Sequence, residues 1–260
     1  MGGVKEGLIQ KAISGFYYVQ TGEELLTCKA KGVFRKQGIT PLVGDTVKVE
    51  DNTVCEIFPR KNELLRPPAA NIDLAFLIIS TVDPEPNLLT IDKLIAICEQ
   101  KSIEPVLVLT KTDLRAGDEL RALYEKAGFP VYSVSDTPSD RELLLTKMSG
   151  KICIFIGNTG AGKSTLRNKL FPGLQLATGE ISQKLGRGRH TTRHVELFAI
   201  PSGGYVADTP GFGSVELERY EVIRKQELQH CFREFADYLG DCRFLDCSHR
   251  VEKGGAVLEA

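Results

Sequence analysis

The chain has 260 residues, 42% of them hydrophobic and 26% charged, with a formal net charge of −1. That length and apolar content suffice to bury at least one full core and predict two or three units. Its apolar runs, such as 74–79 and 152–156, fall far short of the roughly 20 residues that cross a bilayer, and near-neutral charge argues against a non-specific nucleic-acid coat.

The first residues, Met1 to Glu6, carry no apolar run of signal-peptide length, and Glu6 stands where a myristoylation signal wants Ser or Thr. A cytoplasmic protein is expected, without membrane association and as a monomer. Seven cysteines, an odd number set mostly in apolar segments, read as reduced thiols rather than as a disulfide framework.

From Leu8 to about Pro59, short β-rich stretches alternate with turn residues: Phe16–Val19, Val33–Phe34, Thr46–Val49 and Val54–Phe58. Turn signals at Thr21-Gly22-Glu23 and Gly44-Asp45 punctuate them, so a small OB-like antiparallel barrel is predicted over residues 1–65. In it, Lys29, Lys31, Arg35 and Lys36 lie near aromatic residues and suggest an RNA face, with Phe16 and at least one tyrosine assigned to the core. The run Leu65-Arg66-Pro67-Pro68 reads as a linker, because neither proline continues a central strand or a helix interior.

After it the pattern becomes an α/β alternation: strand 74–80, helix 90–101, strand 105–110, helix 118–127, strand 131–135, helix 140–148, then strand 151–157. Such alternation predicts a mostly parallel sheet covered on both faces, with ligands at the carboxyl ends of its strands. This unit is assigned residues 66–215. Beyond it, residues 216–260 are read as a small C-terminal unit, a helical pattern from Glu218 to about Tyr238 followed by a Cys- and His-containing tail.

Three motifs fall at that strand edge. Gly157-Asn158-Thr159-Gly160-Ala161-Gly162-Lys163-Ser164, running into Thr165, has the G-x-x-x-x-G-K-[ST] spacing directly between a strand and a helix. Its glycines let backbone N–H groups curl around a β-phosphate, Lys163 bridges β- and γ-oxygens, and the Ser164 hydroxyl ligates Mg²⁺. Thr110-Lys111-Thr112-Asp113 ends the strand before 111 and resembles the guanine-reading N-K-x-D of GTPases, with Thr in place of Asn. A carboxylate at Asp113 accepts from guanine N1 and N2, whereas adenine would leave it facing an acceptor; the stem of Lys111 would lie along the base. Val206-Ala207-Asp208-Thr209-Pro210-Gly211 ends another strand with D-x-x-G, in which the aspartate holds Mg²⁺ through water and the Gly211 N–H meets the γ-phosphate. Ser135, at the end of the strand 131–135, is a candidate fifth motif backing the base.

The order is the unusual feature. The base-reading motif precedes the phosphate loop, which a closed domain tolerates when its natural termini are joined and the chain is cut elsewhere. A circularly permuted P-loop GTPase domain is therefore expected. A P-loop ATPase is the rival enzyme reading, separated by Asp113. A nucleotide-switched RNA-binding scaffold with little catalysis of its own is the other, because Phe212 follows Gly211 where Ras-like enzymes carry a water-orienting glutamine.

The stretches Gly15–Val19, Pro41–Asp45, Arg60–Leu64, Ala70–Asp73 and Gly188–Thr192, together with these motifs, resemble the RsgA (YjeQ or YloQ) family over nearly the whole chain. The resemblance implies an OB domain, a permuted GTPase domain cleaving the β–γ phosphoanhydride of GTP, and a zinc-bearing tail. It also implies a role in late maturation of the small (30S) ribosomal subunit, stimulation by that subunit and binding to its RNA. It further implies His190, before the switch threonines, as the catalytic candidate, with Thr191 or Thr192 reaching Mg²⁺. The surrounding segment carries Lys184, Arg187, Arg189, His190, Arg193 and His194 with no acidic residue, which suits contact with an RNA backbone.

In the tail, Cys242-x4-Cys247-x-His249 supplies zinc-type ligands at close spacing. The family pattern adds a cysteine six residues after the histidine, where this chain has Gly255. Completion of the shell by Cys231, His230 or water, and a site without metal, are all left open by the sequence.

Overall fold

In a computed structural model, the described residues are 3–133, 138–172, 195–208, 219 and 221–260. Among them, eleven strands form one continuous sheet in the order β10-β9-β8-β11-β13-β12-β1-β2-β3-β5-β4, and a further pairing of β1 with β4 closes its last five strands into a barrel.

The barrel strands are β1 (Lys5–Ile13), β2 (Phe16–Thr21), β3 (Glu24–Ala30), β4 (Thr46–Glu50) and β5 (Thr53–Ile57). Alternation along them turns Ile9, Val19, Cys28, Val47, Val49 and Val54 fully inward, as a period of two requires. Two sequence expectations are corrected here. Val33 and Phe34 lie not on a strand but in the short helix α1 (Gly32–Lys36), which plugs the barrel with the buried Phe34 ring. Phe16 is not core: it is 41% exposed, with the Lys29 ammonium 5.3 Å from its ring centroid.

Asp45 pins the barrel to the segment that leads out of it. Its fully buried carboxylate accepts Arg60 Nε at 2.7 Å, Arg60 Nη2 at 2.8 Å and the Leu42 N–H at 2.7 Å. The short hairpin β6 (Glu63–Leu64) and β7 (Ala69–Ala70) brackets the proline pair of the linker.

The second unit is built on β8 (Leu74–Ser80), β9 (Glu104–Thr110), β10 (Val131–Ser133), β11 (Lys151–Ile156) and β13 (Gly204–Asp208), all mutually parallel. Every residue of β8 is buried, which is why its sequence is a continuous apolar run rather than an alternation. Helix α2 (Leu88–Gln100) is capped by the Asn87 side chain, which accepts the Thr90 N–H at 3.0 Å, and it buries Ile91, Leu94, Ile95 and Cys98. Helices α3 (Asp118–Lys126), α4 (Pro138–Met148) and α5 (Lys163–Leu170) complete the cover.

Strand β12 (Glu196–Ala199) is an addition to the expected strands. It runs antiparallel to β13 and also meets β1 at Lys11↔Glu196, where a 2.6 Å ion pair marks the junction of barrel and parallel sheet.

The helix expected over 218–238 is shorter. Over 221–238 it is reduced to α6 (Lys225–Leu228) and two single 3₁₀ turns, Gln229–Cys231 and Arg233–Phe235. Arg233 and Glu221 are two of its anchors. Arg233 donates to Glu99 Oε1 at 2.7 Å and Glu104 Oε2 at 2.9 Å, and its guanidinium lies 4.6 Å from the Phe129 ring centroid. Glu221, 5% exposed, accepts the Leu65 N–H at 2.6 Å and pairs with Lys101 at 2.8 Å.

Candidate nucleotide and metal sites

The register of the parallel strands decides which motifs meet. Ser80 of β8 pairs with Thr110 of β9, Leu77 of β8 with Ile156 of β11, and Ile154 of β11 with Ala207 of β13. The base motif, the phosphate loop and the D-x-x-G strand thus leave the sheet at one edge. Strand β8 separates β9 from β11, so the ends of the strands that lead into the first two are spaced by two strand intervals, about 10 Å.

The phosphate loop turns on glycines for identifiable reasons. A Cβ on Gly157 would sit 2.5 Å from the Ile78 carbonyl of β8, so the loop leaves the sheet only because nothing is there. Gly160 and Gly162 have φ of +83° and +95°, which L-residues rarely adopt. Gly162 caps α5, and Lys163, Ser164 and Thr165 form its first turn, with Ser164 and Thr165 exposed. Asn158 accepts the Ala161 N–H at 3.2 Å, and Thr159 lies exposed at the tip. The Lys163 ammonium folds back onto the Gly157 and Asn158 carbonyls at 2.6 and 2.8 Å, and burial pushes its pKa below the ordinary lysine value.

Across β8, Thr110 is buried and its hydroxyl donates to the Ala161 carbonyl of the phosphate loop at 2.7 Å. This contact, between residues 51 positions apart, ties the base strand to the phosphate loop. It gives the Thr-for-Asn departure a physical role. Lys111 comes next, in a left-handed conformation, φ +59°, and its ammonium binds the Asp83 carbonyl. Thr112 is half-buried and Asp113 is exposed in the ensuing turn. Thr81 supports this turn by donating to the Lys111 carbonyl at 2.9 Å. Motif reading misses it, since a threonine just past a strand end carries no signal until the register with β9 is known.

Asp208 is the last residue of β13 and so belongs to the same edge. Ser135, Thr191, Thr192, His190 and Gly211 lie outside the described residues, as do Phe212 and the basic stretch from Lys184 to His194.

In the tail, Cys242, Cys247 and His249 converge: one ligand atom from each lies within 4.8 Å of the others, with Cys242 Sγ 3.5 Å from His249 Nδ1. Zinc–sulfur and zinc–nitrogen bonds of about 2.3 and 2.05 Å at tetrahedral angles put those two atoms about 3.6 Å apart, so the spacing fits a zinc-type ion. Gln229 Oε1, which only accepts, lies 2.9 Å from His249 Nε2. An Nε2–H donated to that oxygen would leave the Nδ1 lone pair to a metal. Sequence patterning gives no hint of Gln229, 20 residues before its partner. Glu252 organises the turn by accepting from the Ser248 side chain and from the Val251, Arg250 and Ser248 N–H groups, and these bonds hold its carboxyl far below the usual range. Neither His230 nor Cys231 joins the cluster among the described residues; Cys231 is buried and donates to the Glu227 carbonyl.

Comparisons with known proteins fall on the same elements. The family model described as RsgA N-terminal domain matches residues 6–55, and that described as RsgA GTPase matches residues 57–218. The small ribosomal subunit biogenesis GTPase RsgA of Shouchella clausii is 45% identical, with 98% of this chain and 90% of the relative covered. Its namesake in Caldanaerobacter subterraneus is 43% identical, with 98% and 88% covered. Among solved structures, YjeQ from Thermotoga maritima superposes with a TM-score of 0.79 at 32% identity over 98% of this chain and 90% of that one. YloQ, a circularly permuted GTPase, gives 0.76 at 35% identity over 99% and 88%. The chain belongs to the RsgA GTPase family.

Proposed function

We propose that this chain is a GTP hydrolase that acts in biogenesis of the small ribosomal subunit and that the subunit, through its RNA, stimulates turnover. The observation that carries the nucleotide reading is the 2.7 Å bond from Thr110 to the Ala161 carbonyl, which joins the end of the strand carrying the candidate base motif to the candidate phosphate loop. The names of the relatives, small ribosomal subunit biogenesis GTPases, support the cellular role.

In this reading guanine is selected by Asp113, with Thr110, Lys111 and Thr112 shaping its turn and Ser135 behind the base. The phosphates lie in the loop 157–165. Lys163 leaves its two carbonyl partners for the β- and γ-oxygens, exchanging neutral acceptors for anionic ones, which also restores the charge that burial disfavours. Exposure of the Ser164 hydroxyl beside Lys163 and the place of Asp208 at the neighbouring strand end fit a Mg²⁺ ion. When bound, that ion neutralises charge developing on the β- and γ-oxygens. Gly211 is assigned to the γ-phosphate, Thr191 or Thr192 to Mg²⁺, and His190 to orienting the attacking water. The proline linker at 65–68 and the Cys- and His-containing tail support units at 1–65, 66–215 and 216–260, and zinc is assigned to Cys242, Cys247 and His249.

GTP turnover measured with and without purified small subunits tests the proposal. Stimulation that is lost in Lys163→Ala is expected; equal rates with and without subunits would instead favour a nucleotide-switched scaffold.

A further inference from the structure

Zinc in a structural site takes four protein ligands, and three with an open position when it must accept another molecule. Among the described residues the tail offers three: Cys242, Cys247 and His249. The gap in the shell is located. Ala256 donates its N–H to Cys242 Sγ at 3.3 Å, so the backbone at 255–256 lies against the cluster. A Cβ built on Gly255 would stand 3.4 Å from Cys247 Sγ and 3.1 Å from the Glu252 carbonyl. Position 255 therefore faces the Cys247 sulfur at contact distance and contributes no side-chain donor atom.

The φ of Gly255 is −85°, a value any residue adopts, so backbone strain does not require glycine there. Among the described residues, the other donors near the cluster are engaged, His230 with Gln229 at 3.3 Å. Glu252 is engaged by Ser248, Arg250 and Val251, Gln229 by His249, and Cys231 by Glu227.

We propose that the tail holds a zinc-type ion through Cys242 Sγ, Cys247 Sγ and His249 Nδ1 alone, with a fourth position beside Gly255 that is open and takes a small exogenous thiolate. The class of ligand comes from the donor set: two sulfurs and an imidazole select a soft acceptor of thiolates, and an N–H already turned toward sulfur continues that environment. No electron transfer is involved. A thiol loses its proton to solvent, its sulfur forms one bond to the metal, and a bound water leaves.

The inference rests on the metal reading of the tail and is independent of the nucleotide site. Its test uses the full chain, freed of metal and kept reduced with a phosphine, titrated with Co²⁺ and then with 2-mercaptoethanol. In the wild type the sulfur-to-cobalt charge-transfer absorbance is expected to rise by about half on adding the thiol, as two bound thiolates become three. Gly255→Cys is expected to bind Co²⁺ at least about tenfold tighter, in keeping with one added metal–ligand interaction, and to ignore the thiol. Gly255→Ala, which adds the same Cβ without sulfur, is expected to keep wild-type affinity and thiol response, and so controls for crowding against Glu252. If the wild type binds Co²⁺ but its spectrum is unmoved by the thiol, and Gly255→Cys binds no tighter than Gly255→Ala, the open position is refuted. Failure of the wild type to take up Co²⁺ at all refutes the metal reading and the inference with it.

Discussion

Replacing Thr110 by valine removes one hydroxyl at nearly constant volume, and so isolates the bond that joins the two halves of the proposed nucleotide site. The donor is buried, at 7% exposure, and lies 2.7 Å from the Ala161 carbonyl. Losing a buried donor so that its acceptor is left unpaired costs about 1–3 kcal/mol. The strand cannot yield: β9 lies between β8 and β10, with Val106 to Leu109 all at 1% exposure or less. The loop can, because its outer residues Thr159 and Gly160 are exposed. Relaxation therefore moves the phosphate loop away from the base strand, and ordering it again on binding draws on the same free energy. GTP affinity is expected to fall by about 5- to 150-fold, at 1.4 kcal/mol per tenfold, while Thr110→Ser, which keeps the hydroxyl, stays near wild type. Titration with a fluorescent GTP analogue measures both. If the valine variant binds within twofold of wild type and of the serine variant, Thr110 does not couple the motifs and the explanation of its place in the sequence fails.

Asp113→Asn removes the only charge that distinguishes guanine in this scheme, so GTP affinity is expected to drop by about 10²-fold or more and XTP to become the preferred nucleotide; competition binding reads both. Asp45→Asn breaks the buried fork on Arg60, which is expected to cost about 3 kcal/mol and to lower the urea midpoint monitored by far-UV circular dichroism, whereas Lys5→Ala at the exposed pair with Glu24 is expected to change it little. Thiol alkylation at mildly alkaline pH is expected to spare Cys98, whose burial raises its pKa strongly, and Cys153, pushed up to about 12 by burial and then by Asp73. Cys242 and Cys247 are expected to react in metal-free protein and to be protected by zinc; peptide mass spectrometry separates these cases, and protection of neither would speak against metal binding. Arg233→Ala removes the tail's anchor on Glu99 and Glu104 and is expected to raise amide exchange across 225–238 without altering GTP binding.

Much of the fold, and the strand edge that carries the candidate nucleotide site, is legible in the sequence because the signals are local. The phosphate loop needs glycines at fixed offsets and a strand before them, and the apolar runs of β8, β9 and β11 declare strands buried on both faces. The features that escape depend on distant partners. Val33 and Phe34 look like a strand pair by residue type, yet the barrel interior takes Phe34 from a helical turn. Phe16 looks like core but sits at a strand end where Lys29 covers its ring. The sequence from Glu218 to about Tyr238 shows helical periodicity, but over 221–238 Arg233 and Glu221 reach back to α2 and the linker, and continuous helix gives way to short turns. Thr81 and Gln229, each positioned by a hydrogen bond to a motif residue, have no signature of their own.

The most direct test is a crystal of the protein with a non-hydrolysable GTP analogue. One analogue is predicted to bridge the sheet edge, its guanine N1 and N2 about 2.9 Å from the Asp113 carboxylate and its β- and γ-phosphates on Lys163. An analogue that meets the loop at 157–164 while its base lies away from Asp113 would contradict the account.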